Sequence, residues 1–191
     1  MWIVILIIGI IVIIIYNGNA HKKEMNKLRA NQGTPELTPG AKQIMSEFHK
    51  DLSKPQRYAY YNLLSTIAET HVNSPTITKN RVQYTLRQTV QFLDISADQA
   101  DNYLFVNGVS ELCEQLGSIP KGAQLDSILS TAFAIASAAE GSIKGMQANE
   151  YAIMLLIKIC NEAGISENDL YSSIEKSAMF TKQFMSNGRN F

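Results

Sequence analysis

The apolar run from Trp2 to Tyr16 constrains this chain more than any other stretch. No charged side chain occurs in residues 1–20, and at about 1.5 Å per residue the run and its polar shoulder approach the ~30 Å hydrocarbon thickness of a bilayer. The sequence therefore predicts a single transmembrane helix over residues 1–20. Trp2 and Tyr16 are expected to lie at the headgroup level, which aromatic rings prefer.

Basic residues follow the apolar run and none precedes it. Lys22 and Lys23 are expected to complete the membrane anchor by snorkelling to the interface. The positive-inside rule then predicts a single-pass inner-membrane protein with its N-terminus outside and its C-terminal domain in the cytoplasm. A cleaved secretory signal is the alternative, because Gly18-Asn19-Ala20 offers small residues, but the basic segment that begins such signals is missing.

Composition limits the partners and the redox chemistry of the remaining chain. The 191 residues have a formal net charge of +0 and 46% are hydrophobic, which suits one domain with a proper core. A balanced charge argues against nucleic acid as a partner, because a protein that binds nucleic acid needs a basic face to neutralise the phosphates. Cys113 and Cys160, the two cysteines, both lie among apolar residues and are predicted to be reduced and buried.

The part after the anchor is predicted to be all-α. Residues 21–40 form a basic juxtamembrane segment and a linker, which Gly and Pro interrupt. Residues 41–187 carry apolar side chains at helical spacing, and no stretch shows the alternation of a strand. We therefore expect a bundle of about seven helices, with residues 147–163 as its buried central helix. Residues that mark predicted helix starts, kinks or ends are Ser53, Ser96 with Gln99, Gly108, Gly117 and Gly164.

An internal pseudo-repeat runs through this predicted bundle. Leu63-Leu64-Ser65-Thr66 matches Ile128-Leu129-Ser130-Thr131, and Asp94-Ile95-Ser96-Ala97-Asp98 matches Gly164-Ile165-Ser166-Glu167-Asn168. Each copy consists of a helix, a polar loop, a second helix and an Ile-Ser pair that opens a third helix. Two such copies predict a pseudo-twofold helical bundle with a shared core.

This arrangement resembles the TerB-like domain, an all-helical family built from two such units. The second copy carries the family's pattern in Glu140-Gly141, Glu150 and Gly164-Ile165-Ser166, whereas the first copy lacks the acidic pair. The resemblance implies divalent-metal binding through Glu140 and Glu150 and a link to bacterial membrane-associated stress or defence complexes. Two carboxylates are few for a Ca²⁺ site, and a solvated loop with a helix-starting Glu explains them equally well. No other cofactor is predicted.

Motifs for catalysis do not occur in the sequence. His21, His49 and His71 are isolated from any metal-binding spacing, and no Gly-x-Ser-x-Gly elbow exists. We therefore predict a non-enzymatic, membrane-anchored adaptor that binds a protein partner through the segment from Glu140 to Glu150. The alternatives are an immunity protein that neutralises a toxin and a divalent-metal sensor.

Overall fold

The computed structural model describes residues 37–138 and 149–187. The chain divides into two compact units, Met1–Glu36 and Leu37–Phe191, and all described residues belong to the second. The predicted anchor residues Trp2, Tyr16, Lys22 and Lys23 lie outside the described residues.

Seven α-helices make up the described residues, which contain no β-strand, so the prediction of an all-α fold is confirmed. In chain order they are α1 Pro39–Phe48, α2 Lys54–Glu69, α3 Thr76–Leu93, α4 Ala97–Gly117, α5 Ala123–Ala136, α6 Glu150–Glu162 and α7 Glu167–Asn187.

The lengths and composition of these helices contradict the predicted inner-membrane localisation. Within the described ranges, no helix is both long and apolar enough to cross a membrane. Even the two longest helices, α4 and α7 with 21 residues each, carry charged side chains along their length. The prediction of a single-pass inner-membrane protein with a cytoplasmic C-terminal domain is therefore wrong.

The central helix of the bundle is α2, whereas the sequence favoured the segment that forms α6. Tyr60, Tyr61, Leu63 and Leu64 on α2 are almost completely buried, and α2 packs against α3, α4, α5 and α6. The outer side of α6, in contrast, exposes large apolar residues to solvent. The misassignment arose because aliphatic side chains are concentrated in α6, while three tyrosines make the buried α2 look more polar.

Local capping chemistry fixes several helix starts. Ser53 forms a complete capping box with Gln56 at the start of α2, as the Ser-Lys-Pro sequence indicates. The capping box predicted for Ser96 and Gln99 does not form, because the Gln99 side chain instead accepts a hydrogen bond from the Tyr58 hydroxyl at 3.2 Å. This contact ties α4 to α2.

Two glycines of α4 have different structural roles. Gly108 has φ 79° and ψ 178° and breaks α4 into two helical halves, which confirms the predicted kink. Gly117 ends the helix against the C-terminal end of α6, where a Cβ atom would overlap the carbonyl oxygen of Ala163. The first position requires an unusual backbone conformation, and the second requires the absence of a side chain.

Asp94 and Gly164, which stand at matching positions of the two sequence copies, have the same backbone geometry. Both residues have a left-handed backbone conformation, with φ 53° and 74° respectively, and each follows a helix. The amide of the next residue bonds back to that helix: Ile95 N to Val90 O at 3.4 Å, and Ile165 N to Cys160 O at 2.8 Å. Gly164 therefore stops α6 as predicted.

Both cysteines are free thiols buried in the core, as the sequence predicted. Burial raises the pKa of Cys113 to about 11 and that of Cys160 to about 12. Both groups are therefore protonated and unreactive at neutral pH.

Candidate functional site at the loop end of the bundle

Polar side chains converge where α2 and α5 end and α6 begins. We call this group, which consists of Thr70, His71, Ser74, Ile135 and Asn149, the loop-end cluster. His71, Ser74 and Asn149 are all buried, which is unusual for polar residues in loops and at helix ends. Buried polar atoms need partners, so the hydrogen bonds of this cluster determine what it can do.

The His71 imidazole joins the loop after α2 to the end of α5. Its Nε2 lies 2.9 Å from the carbonyl oxygen of Ile135, and its Nδ1 lies 3.1 Å from Ser74 Oγ. Because a carbonyl oxygen only accepts, Nε2 carries the proton, and in a neutral imidazole Nδ1 then accepts from the Ser74 hydroxyl. The ring is thereby held between the loop after α2 and the end of α5.

Asn149 joins the start of α6 to the end of α2. Its Oδ1 accepts from Ala152 N at 3.0 Å and so caps α6, while its Nδ2 donates to Thr70 Oγ1 at 3.2 Å. The Thr70 hydroxyl in turn donates to Ile67 O at 2.7 Å. One amide side chain therefore both starts a helix and anchors it to its neighbour.

A serine hydroxyl that donates to a histidine resembles a nucleophile and its general base. In this cluster, however, Ser74 and His71 are 4% and 2% exposed, which leaves no room for a substrate carbonyl at the hydroxyl. The orienting group on the far side of the ring is a backbone carbonyl, which helps to hold the loop and the end of α5 together. The geometry therefore supports a structural clamp.

Glu69, the last residue of α2, lies beside the cluster and has an altered acidity. Partial desolvation, followed by the negative charge of Asp101, raises the pKa of Glu69 to about 7, although its side chain still reaches solvent. The group is therefore partly protonated at neutral pH.

Large apolar side chains are exposed on the two segments that carry the cluster. We call this area, which consists of Val72, Glu150, Tyr151 and Met154, the loop-end surface. Met154 is 69% exposed and Tyr151 is 51% exposed, and both lie on the first turns of α6. The bond from Asn149 to Thr70 brings this part of α6 close to Val72, which is also exposed. Such a group is typical of a protein-binding surface.

The predicted metal ligands are not brought together within the described residues. Glu140 lies outside them, and Glu150 is an exposed residue at the start of α6. Across residues 37–138 and 149–187, no group of three or more His, Cys, Asp or Glu side chains is arranged to hold a metal ion.

The role of His71 was not predicted from the sequence, because its spacing matches neither a metal-binding nor a catalytic motif. The signal that could have identified it is the spacing of His71 and Ser74 just after a predicted helix end, where a side chain three residues away is within reach. Its second partner, the Ile135 carbonyl, is 64 residues away and has no sequence signature.

Comparison of the chain with protein-family models, with curated proteins and with solved structures found no match. The resemblance to the TerB-like domain therefore stays a prediction.

Proposed function

We propose that this chain is a non-catalytic helical interaction module that binds another protein through the loop-end surface. The observation that carries the proposal is a contrast at one end of the bundle. His71 and Ser74, the pair that resembles a catalytic base and nucleophile, are buried and hydrogen-bonded to each other. Tyr151 and Met154, at the start of α6, face solvent. Tyr and Met are enriched in protein interfaces because they offer large contact areas with adaptable packing.

The loop-end cluster supports this role by holding the surface in place. Asn149 caps α6 and bonds to Thr70, so the exposed first turns of α6 are fixed to the central helix α2. A partner would therefore meet a preorganised surface and would lose little conformational entropy in it on binding.

The internal repeat forms part of the same proposal. We infer that α2–α3–α4 and α5–α6–α7 are two copies of one unit, supported by the matching left-handed residues Asp94 and Gly164. In both copies the first helix then ends at the same end of the bundle, because His71, just after α2, contacts Ile135 near the end of α5. The loop-end surface would use residues from both copies.

The test is affinity capture of the full-length protein, tagged at its C-terminus, from native extracts with identification of what accompanies it. The wild type is compared with the double variant Tyr151→Ala, Met154→Lys. We expect a stoichiometric partner that the variant binds more than about tenfold more weakly, since exposed aromatic and Met anchors often dominate an interface.

A matched control is Ile44→Lys on α1, because Ile44 is as exposed as Met154 but lies on another helix. This variant should capture the partner as the wild type does. A partner that is lost equally from both variants, or retained by both, would contradict the assignment of the loop-end surface.

A further inference from the structure

All the charged residues of helix α3 are basic. It contains Lys79, Arg81 and Arg87 and no acidic residue. Arg81 is exposed together with the apolar side chains of Ile77 and Tyr84, which share its side of the helix at spacings of four and three residues. Within the described part of the chain, Lys79, Arg81 and Arg87 form no ion pair.

Helix α4 presents the opposite charge. It contains Asp98, Asp101, Glu111 and Glu114 and no Lys or Arg. In its first half, Asp98, Asn102 and Phe105 follow one another at helical spacing on the exposed side, and Phe105 is as exposed as Ile77 at 74%. Each helix therefore combines charge of one sign with an exposed large apolar side chain, although the whole chain has a formal net charge of +0.

The order of these residues makes the two faces complementary when the helices run antiparallel. On α3, Arg81 and Arg87 lie about 6 and 15 Å beyond Ile77, at about 1.5 Å per residue. On α4, Asp98 lies about 10 Å before Phe105. With Ile77 placed opposite Phe105, Asp98 falls midway along the helix axis between the two arginines. Around α3, Arg81 and Arg87 lie about 40° and 80° to either side of Ile77, so they flank the contact.

We propose that this face binds a second copy of this chain, with α3 of one copy packed antiparallel against the first half of α4 of the other. Each copy offers both faces, so a twofold arrangement forms the contact twice. Ile77 and Phe105 bury each other at one end of each contact, and the arginines pair with Asp98 along the rest. The charge separation between α3 and α4 selects this pairing and excludes α3 against α3.

The experiment uses two oppositely charged variants of the full chain. The first, Arg81→Glu with Arg87→Glu, makes the α3 face acidic. The second, Asp98→Lys with Asn102→Lys, makes the α4 face basic. The first variant has two acidic faces and the second has two basic faces, so each should repel itself, whereas a mixture restores both contacts. Self-association is measured by sedimentation equilibrium, and mixed complexes are recovered through different tags on the two variants.

We expect the wild type to self-associate more strongly at low than at high ionic strength. Each variant alone should associate about tenfold or more weakly, and the mixture should return to wild-type affinity. The exposed control Glu175→Lys on α7 should behave as the wild type. Far-UV circular dichroism establishes that each variant is folded.

Three results would overturn the proposal. The first is a wild type that stays monomeric at low ionic strength. The second is association that is equal in the wild type and both variants, which would place the contact outside these two helices, for instance in residues 1–36. The third is a mixture of folded variants that associates no better than either variant alone.

Discussion

His71 Nε2 donates a hydrogen bond of 2.9 Å to the backbone carbonyl of Ile135, which joins the loop after α2 to the end of α5. Replacing His71 by Leu keeps much of the side-chain volume but removes the bonds of the ring to Ile135 and Ser74, while the Ile135 carbonyl keeps its bond from the Ala138 amide at 3.0 Å. We expect His71→Leu to lower the free energy of unfolding by about 1–3 kcal/mol, because two hydrogen bonds are lost and each contributes about 0.5–1.5 kcal/mol. Urea denaturation measures the change.

The neighbouring Val72 provides the control for this substitution, because it lies in the same loop but is exposed. Val72→Ala should change the stability by less than about 0.5 kcal/mol. Equal effects of the two substitutions would mean that the bond to Ile135 contributes nothing particular to the fold.

Gly117 permits the close approach of α4 to the end of α6. A methyl group at this position would overlap the carbonyl oxygen of Ala163, and backbone cannot move aside as a flexible side chain can. We expect Gly117→Ala to destabilise the protein by about 1–3 kcal/mol, as overpacking usually does. Thermal unfolding compared with Gly40→Ala tests this expectation. Gly40 lies in α1 with open space around it, so that substitution should be neutral or stabilise by up to about 1 kcal/mol.

Much of the fold could be predicted because its signals are local. Helical periodicity predicted an all-α domain, Ser53 predicted the start of α2, and Gly108 and Gly164 predicted a kink and a stop. The central helix was misassigned because burial depends on neighbours that are distant in sequence. The tyrosines of α2 are buried since residues elsewhere satisfy their hydroxyls, as Thr131 does for Tyr60.

The residues of the candidate site could not be predicted from the sequence. The predicted contact segment from Glu140 to Glu150 stays a prediction, because its residues up to 148 lie outside the described ranges; exposed apolar residues follow Glu150. The polar clamp beneath the loop-end surface could not be predicted, because its bonds join residues such as Asn149 and Thr70, 79 positions apart. Hydrogen bonds between residues so far apart in the chain produce no periodic pattern in a single sequence.

Asp94 and Gly164 allow a test of the same backbone position in two sequence contexts. Both have positive φ, a conformation that costs energy for residues with a Cβ atom. Asp94→Gly should therefore stabilise the protein by about 0.5–1 kcal/mol, whereas Gly164→Ala should destabilise it by about 1 kcal/mol. Guanidinium denaturation measures both. If Asp94→Ala stabilises the protein as much as Asp94→Gly, relief of backbone strain is not the cause.

His49 lies in an apolar environment between α1 and the core. Its ring stacks on Phe92 with 5.3 Å between centroids, contacts Tyr60 and Phe48, and is 1% exposed. Within the described residues, neither ring nitrogen has a hydrogen-bond partner. Burial, and then the positive charge of Arg57, lowers the pKa of His49 from 6.5 to about 4.

This lowered pKa predicts acid sensitivity with a defined sign. Between about pH 4 and 6.5 the unfolded chain protonates His49 and the folded protein does not, so stability falls as the pH decreases through this window. The full effect is about 3 kcal/mol. Glu69, whose pKa is raised, contributes in the opposite direction between about pH 4.5 and 7 and masks part of the trend.

Comparison with His49→Leu separates the two groups, because Glu69 contributes equally to both proteins. We expect the variant to gain about 3 kcal/mol relative to the wild type when the pH is lowered from 7 to 4, whatever the offset between them at neutral pH. Urea denaturation at a series of pH values gives this difference directly. A difference that stays constant with pH would mean that His49 is protonated as readily in the folded protein as in the unfolded chain, and that the aromatic packing around it does not exclude the charged imidazole.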